Sequence, residues 1–247
     1  MKINPCIYNY KWNVKVNALM KNLMALSKHK FELDFEKACA ESAVNEEDLI
    51  VVWELLKDLK LKSQVAFEHY LHSLRVGILA RDIGRELGLE ESTLLLSGAL
   101  HDIGKIYTSN DILSKVGIWT DEDREAIRQH VMDGYQIVRD HFSLIAEIII
   151  LHHRFQKDGY PSVLPDNGFD EPTRIKIEEY GRILALADGY DALHRTPSKW
   201  SPDRTLNGEE IREKMYEFNP DKGDLIAKLY HNEVFSISRN PGTHSYI

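Results

Sequence analysis

The chain has 247 residues, 28% charged and 43% hydrophobic, with a formal net charge of −8. That is long enough to bury a sizeable core, and the sign excludes broad electrostatic binding to nucleic acid polymers or an anionic membrane while allowing a small anionic substrate held through cations. Two cysteines, Cys6 and Cys39, exclude a disulfide framework and a cysteine-rich zinc site. The N-terminal MKINPCIYNYKWNVKV has no apolar signal-peptide core, and no stretch approaches the ~18 apolar residues of a membrane helix, so the expected compartment is the cytoplasm.

In chain order, residues 15–28 and 31–61 carry apolar residues at helical spacing, and together they predict a helical N-terminal section over 1–62. Asn45, three before Asp48, reads as the N-cap of DLIVVWELLKDL, whose Leu49, Val52, Trp53 and Leu56 share one core-facing stripe. From about 64 to 231 the helical reading continues through 67–87, 91–105, 121–140, 143–153, 174–193 and 208–218. The predicted fold class is therefore all-α. Two Pro-, Gly- and Asp-rich loops, 157–173 and 194–208, interrupt it, and loops of that length in a helical domain are usually functional. The expected division is an N-terminal section 1–62, a main domain 63–235 and a C-terminal tail 236–247.

The run LLLSGALHDIGK concentrates chemistry: His101 and Asp102 can ligate one cation, or two if the carboxylate bridges, and Lys105 can meet an anion bound there. Glu68 and His72, four apart, share a helix face. His130 closes an amphipathic segment, and Asp188 follows an apolar one. His152 and His153 close another, and on a helix they would point about 100° apart, towards neighbouring metals. A bundle can converge all of these on one pocket. Eight candidate ligands, Glu68, His72, His101, Asp102, His130, His152, His153 and Asp188, exceed the need of one cation and imply two or three. His29, His69, His141, His194, His231 and His244 lack such partners and read as structural or solvated.

As an ordered set these residues resemble the HD superfamily of metal-dependent phosphohydrolases, and within it the HD-GYP branch. The pieces are Glu68-x-x-x-His72-x-x-Arg75-Val76, HDIGK, His130 with Gly134, His152-His153, Gly159-Tyr160-Pro161, and Asp188 with Asp191. The resemblance implies a helical bundle holding two or three divalent metals. Iron or manganese are favoured, with zinc, nickel or magnesium as further options. It also implies phosphodiesterase action on cyclic di-GMP. By motif, Asp102 would bridge two metals, and Glu68 matches a position associated with a third. The sequence departs from the branch at Arg154, where a glutamate is usual, in a loop one residue shorter before Gly159, and after Asp191, where Arg195 and Lys199 replace an Arg-Pro-Tyr element.

The expected mechanism is attack on phosphorus by a hydroxide bridging two cations, with Asp102 and Lys105 as catalytic groups. Lys105, Arg195 and Lys199 would offset charge on the phosphate oxygens, and Tyr160 would either stack on a base or hinge the loop. The expected partner is a small anionic nucleotide, and a homodimer stays open. Two other functions compete: hydrolysis of another nucleotide or phosphate ester, and a non-catalytic nucleotide-binding module.

Overall fold

Most long helices begin on a side chain that satisfies their otherwise free N–H groups, a device whose removal costs about 1 kcal/mol per helix. In the computed structural model, which describes residues 29–166, 168–194 and 205–237, His29 caps α1 (Lys30–Glu41), Asn45 caps α2 (Glu46–Lys62) and Ser63 caps α3 (Gln64–Leu87). α4 (Glu91–Leu100) and the short α5 (Asn110–Leu113) lead to α6 (Asp121–Val138), capped by Thr120. After α7 (Ser143–Ile149) comes α8 (Glu171–Leu193), started by Asp170 with Pro172 in its first turn. α9 (Gly208–Phe218) and α10 (Gly223–His231) complete an all-α fold with no strand among the described residues. No described helix is long and apolar enough to cross a membrane.

The predicted stripe on α2 packs as expected: Val52 and Leu56 are fully buried, with Leu49 and Trp53 partly buried against the same core. That core is continuous from Phe35 on α1 through Leu74 and Ile83 on α3 to Leu184 on α8, so helices 30–62 share their interior with the rest. Glu32 on α1 ties them further, accepting hydrogen bonds from Lys60 Nζ at 2.7 Å and from Tyr70 Oη at 2.5 Å. The segment 15–28, Cys6 and the tail from 238 lie outside the described residues; Cys39 is buried and free.

Two segments end sooner than their periodicity predicts. Residues 91–105 are not one helix, because α4 stops at Leu100 and Ile103–Ile106 form a 3₁₀ turn. In that turn Gly104 lies against the backbone of α6, where a Cβ would stand 2.0 Å from His130 O and 2.5 Å from Gly134 N. Lys62, the last residue of α2, donates to the carbonyls of Lys105 at 3.1 Å, Ile106 at 2.7 Å and Thr108, closing the turn from outside. Likewise α7 ends at Ile149, and His152 and His153 stand on tight turns made by bonds from Leu151 N to Ile148 O and from Arg154 N to Leu151 O.

Candidate metal centre

Asp102 is the hub. Its buried carboxylate faces two sets of imidazoles with its two oxygens: Oδ2 lies 3.5 Å from His101 Nε2 and 3.8 Å from His72 Nε2, and Oδ1 lies 3.3 Å from His130 Nε2 and 4.0 Å from His152 Nε2. Asp188, from α8, adds Oδ1 at 3.0 Å from His72 Nε2 and 3.7 Å from His101 Nε2. The donors form two tight groups, His72 with His101 and Asp102, and His130 with His152 and His153. Both His152 and His153 therefore lie with His130, the rings of His152 and His153 having centroids 4.1 Å apart.

The outer nitrogens explain why the inner ones converge. Three rings use one local device, Nδ1 donating to the carbonyl three residues back: His101 to Gly98 at 2.8 Å, His152 to Ile149 at 2.5 Å, and His130 to Ile127. A carbonyl only accepts, so each Nδ1 carries a proton and each ring turns its Nε2 inward. His130 Nε2 and His152 Nε2 then face each other 3.3 Å apart, two nitrogens placed where one cation could take both as ligands. Among the described residues, His101 Nε2 and Asp102 Oδ1 are buried without a hydrogen-bond partner. Leaving such groups unsatisfied is costly, and metal ligation satisfies both.

The electrostatics agree. Burial pushes the Asp102 and Asp188 carboxyls up, but His101 and Lys105 around Asp102, and His101 and His72 around Asp188, outweigh it and hold both well below the usual carboxylate range. Burial, then the neighbouring His101 and His130, pushes His152 down to about 3; burial and His152 push His153 well below its ordinary value. Ionised carboxylates beside neutral imidazoles are the protonation states that metal binding requires. His101 is the exception: against burial, Asp102 and Asp188 draw a proton to it, the same pull they would exert on a metal ion. The donor set fits divalent metal ions held around Asp102.

The other sequence-predicted residues distribute unevenly. Lys105 is buried and donates to Asp102 Oδ2 at 2.5 Å. Tyr160 reaches the centre's edge, its ring 4.8 Å from that of His153 at 30°, with the Arg128 guanidinium 5.2 Å from its centroid. Glu68 is half-buried one turn before His72, accepts a hydrogen bond from Gln64 Nε2 at 3.2 Å, and belongs to neither donor group. Arg195 and Lys199 lie outside the described residues.

Periodicity missed two participants. His69, read from sequence as structural or solvated, has Nδ1 3.3 Å from Lys105 Nζ and 3.8 Å from Asp102 Oδ2. Asp191, one turn after Asp188, has Oδ2 2.6 Å from His72 Nδ1, while Arg75 grips both its oxygens at 2.8 and 2.9 Å. Burial raises the Asp191 carboxyl, but Arg75 and His72 outweigh it and hold it well below the usual range. The signal in the sequence was the i, i+3 spacing of Asp188 and Asp191 on one helix face. Such a carboxylate orients a ligating imidazole and raises its basicity, so Asp191→Asn is expected to weaken metal affinity about 10–100-fold with the helical content unchanged. Competition titration against a chelating dye, with circular dichroism alongside, measures both; unchanged affinity would make the Arg75–Asp191 pair a packing feature only.

The HD domain family matches residues 70–193, which takes in every ligand candidate except Glu68. A cyclic di-GMP phosphodiesterase of Thermotoga maritima is 32% identical over 244 residues, covering 95% of this chain and 59% of that protein. A 3'3'-cGAMP-specific phosphodiesterase of Vibrio cholerae is 32% identical over 60% of this chain and 33% of its own length. A cyclic di-GMP phosphodiesterase of Pseudomonas aeruginosa is 30% identical over 67% of this chain and 39% of its own.

Proposed function

The chain belongs to the HD domain family, and from that premise we propose that it is a metal-dependent phosphodiesterase that opens a cyclic dinucleotide, cyclic di-GMP foremost, in the cytoplasm. The observation that carries this reading is Asp102 set between two imidazole groups, one on each carboxylate oxygen, which is the arrangement of a bridging ligand in a two-metal phosphoesterase site. The names of the relatives from Thermotoga maritima and Pseudomonas aeruginosa support the substrate class.

His72, His101 and Asp188 would hold one ion and His130, His152 and His153 the other, with Asp102 shared. When bound, the ions would lower the pKa of water enough for it to attack phosphorus near neutral pH and would neutralise the phosphate oxygens. Iron and manganese suit this mixture of imidazole and carboxylate donors. The protein's own part is positional. Asp191 and the three backbone carbonyls hold the imidazoles, and Lys105 brings a positive charge beside Asp102 that could meet a phosphate oxygen. Tyr160 offers an aromatic face beside His153 on which a purine can stack. Cleavage forms a bond from water oxygen to phosphorus and breaks the phosphorus–O3' ester, leaving linear pGpG; a second hydrolysis yields GMP.

The test is metal analysis of anaerobically purified protein together with a time course on cyclic di-GMP. Two ions per chain and the appearance of pGpG, then GMP, are expected. A parallel course on 3'3'-cGAMP decides the purine preference that the relative from Vibrio cholerae raises. Full metal loading with both cyclic dinucleotides intact would overturn the assignment.

A further inference from the structure

Arg154 stands where the chain departs from the pattern its motifs otherwise follow, and its side chain has a definite task. It begins the loop after His152 and His153, and its Nη1 reaches across to donate to Pro161 O at 2.8 Å, with Ser162 O at 3.4 Å. These are the two carbonyls that immediately follow Tyr160. At the base of the same loop the backbone closes on itself: a Cβ at Gly159 would sit 2.0 Å from Arg154 O, a contact only glycine avoids. The stretch 154–162 is thus a closed loop, pinned by Gly159 at its base and by the Arg154 guanidinium at its far end. Tyr160 lies between the two pins, with His153 at 4.8 Å and Arg128 at 5.2 Å from its ring centroid.

We propose that Arg154 is a positioning residue for substrate binding, a clasp that locks Tyr160 beside His153 so that the metal ligands and the base-stacking wall move as one body. This rests on the cyclic-dinucleotide reading above. The chemistry suits arginine. Its planar guanidinium carries several N–H donors in a fixed fork, which suits two neighbouring carbonyl oxygens. A glutamate at this position would aim a carboxylate at two carbonyl oxygens and supply no donor, so in this shorter loop it could not hold the same turn. With the clasp open, Tyr160 would populate other orientations, and apparent affinity would fall by the fraction of time it is misplaced. The bond-making step at the metals, which Arg154 does not touch, would be unaffected.

The experiment compares metal-loaded wild type, Arg154→Ala, Arg154→Lys, Tyr160→Ala and the Arg154→Ala/Tyr160→Ala double variant. Hydrogen exchange of the amides in 155–163, recorded without nucleotide, should accelerate in Arg154→Ala and stay near wild type in Arg154→Lys. Steady-state kinetics on cyclic di-GMP should show KM raised about tenfold in Arg154→Ala, the order expected for losing charge-assisted bonds that hold one conformer, with kcat within about twofold and metal content unchanged. In the Tyr160→Ala background the Arg154 substitution should add nothing. Additive losses would place Arg154 on the substrate itself and overturn the clasp, as would unchanged exchange of the loop. If wild type proves inactive on cyclic dinucleotides, the functional reading fails, and the exchange measurement still decides whether Arg154 holds the loop.

Discussion

Asp102→Ala is expected to remove metal loading and turnover together. Each Asp102 oxygen faces a different imidazole group, so its loss deprives both ions of their shared ligand and leaves His72, His101, His130 and His152 without the anion that gathers them. A bound cation contributes several kcal/mol of charge stabilisation in the transition state, which corresponds to on the order of 10³-fold in rate or more. The substitution also strands Lys105, whose ammonium loses its bond to Asp102 Oδ2 in a buried site. Circular dichroism therefore accompanies the metal and rate measurements, so that loss of fold is told apart from loss of ligand. Asp102→Ala protein that keeps two ions and wild-type turnover would remove Asp102 from the centre altogether.

The second large effect is on stability. In Gly104→Ala the new methyl would stand 2.0 Å from His130 O and 2.5 Å from Gly134 N, both backbone atoms of α6. Backbone cannot rotate away as a side chain can, so α6 or the 3₁₀ turn must move. Overpacking of this kind costs roughly 3 kcal/mol, at the upper end of the usual range. For a chain of this size that lowers the thermal midpoint by about 6–12 °C. The displaced helix carries His130, so affinity at the His130, His152 and His153 group should fall with it. Gly189→Ala is the control, because a Cβ there meets nothing within 4 Å and alanine favours the helix. Equal midpoints for the two variants would show that the turn and α6 separate without cost.

The relation between sequence and structure follows from the range of the forces involved. Helices α2, α3 and α6 start where Asn45, Ser63 and Thr120 can cap them, and α2 buries the Val52 and Leu56 that its periodicity marks, because caps and i, i+4 faces are local. The ligand candidates could likewise be named from the sequence, since few side chains bind metals and those present fall in a recognisable order. Helix ends were less legible. Nothing within LLLSGALHDIGK says that helix stops at Leu100; the turn that follows packs Gly104 on α6 and accepts bonds from Lys62.

By itself the sequence determined the all-α character, the candidate metal donors and the family order in which they stand. Only the tertiary structure decided how those donors divide. It set the two oxygens of Asp102 towards different imidazoles and grouped both His152 and His153 with His130. It joined Asp191 to His72 and gave Arg154 the carbonyls after Tyr160. The physical reason is that helix formation is fixed by bonds between near neighbours in the chain. Which ligating atoms meet is fixed by the packing of α3, α6 and α8 against one another, across separations such as the 116 positions from His72 to Asp188, while the rings of His101, His130 and His152 are turned by local bonds to carbonyls three residues back.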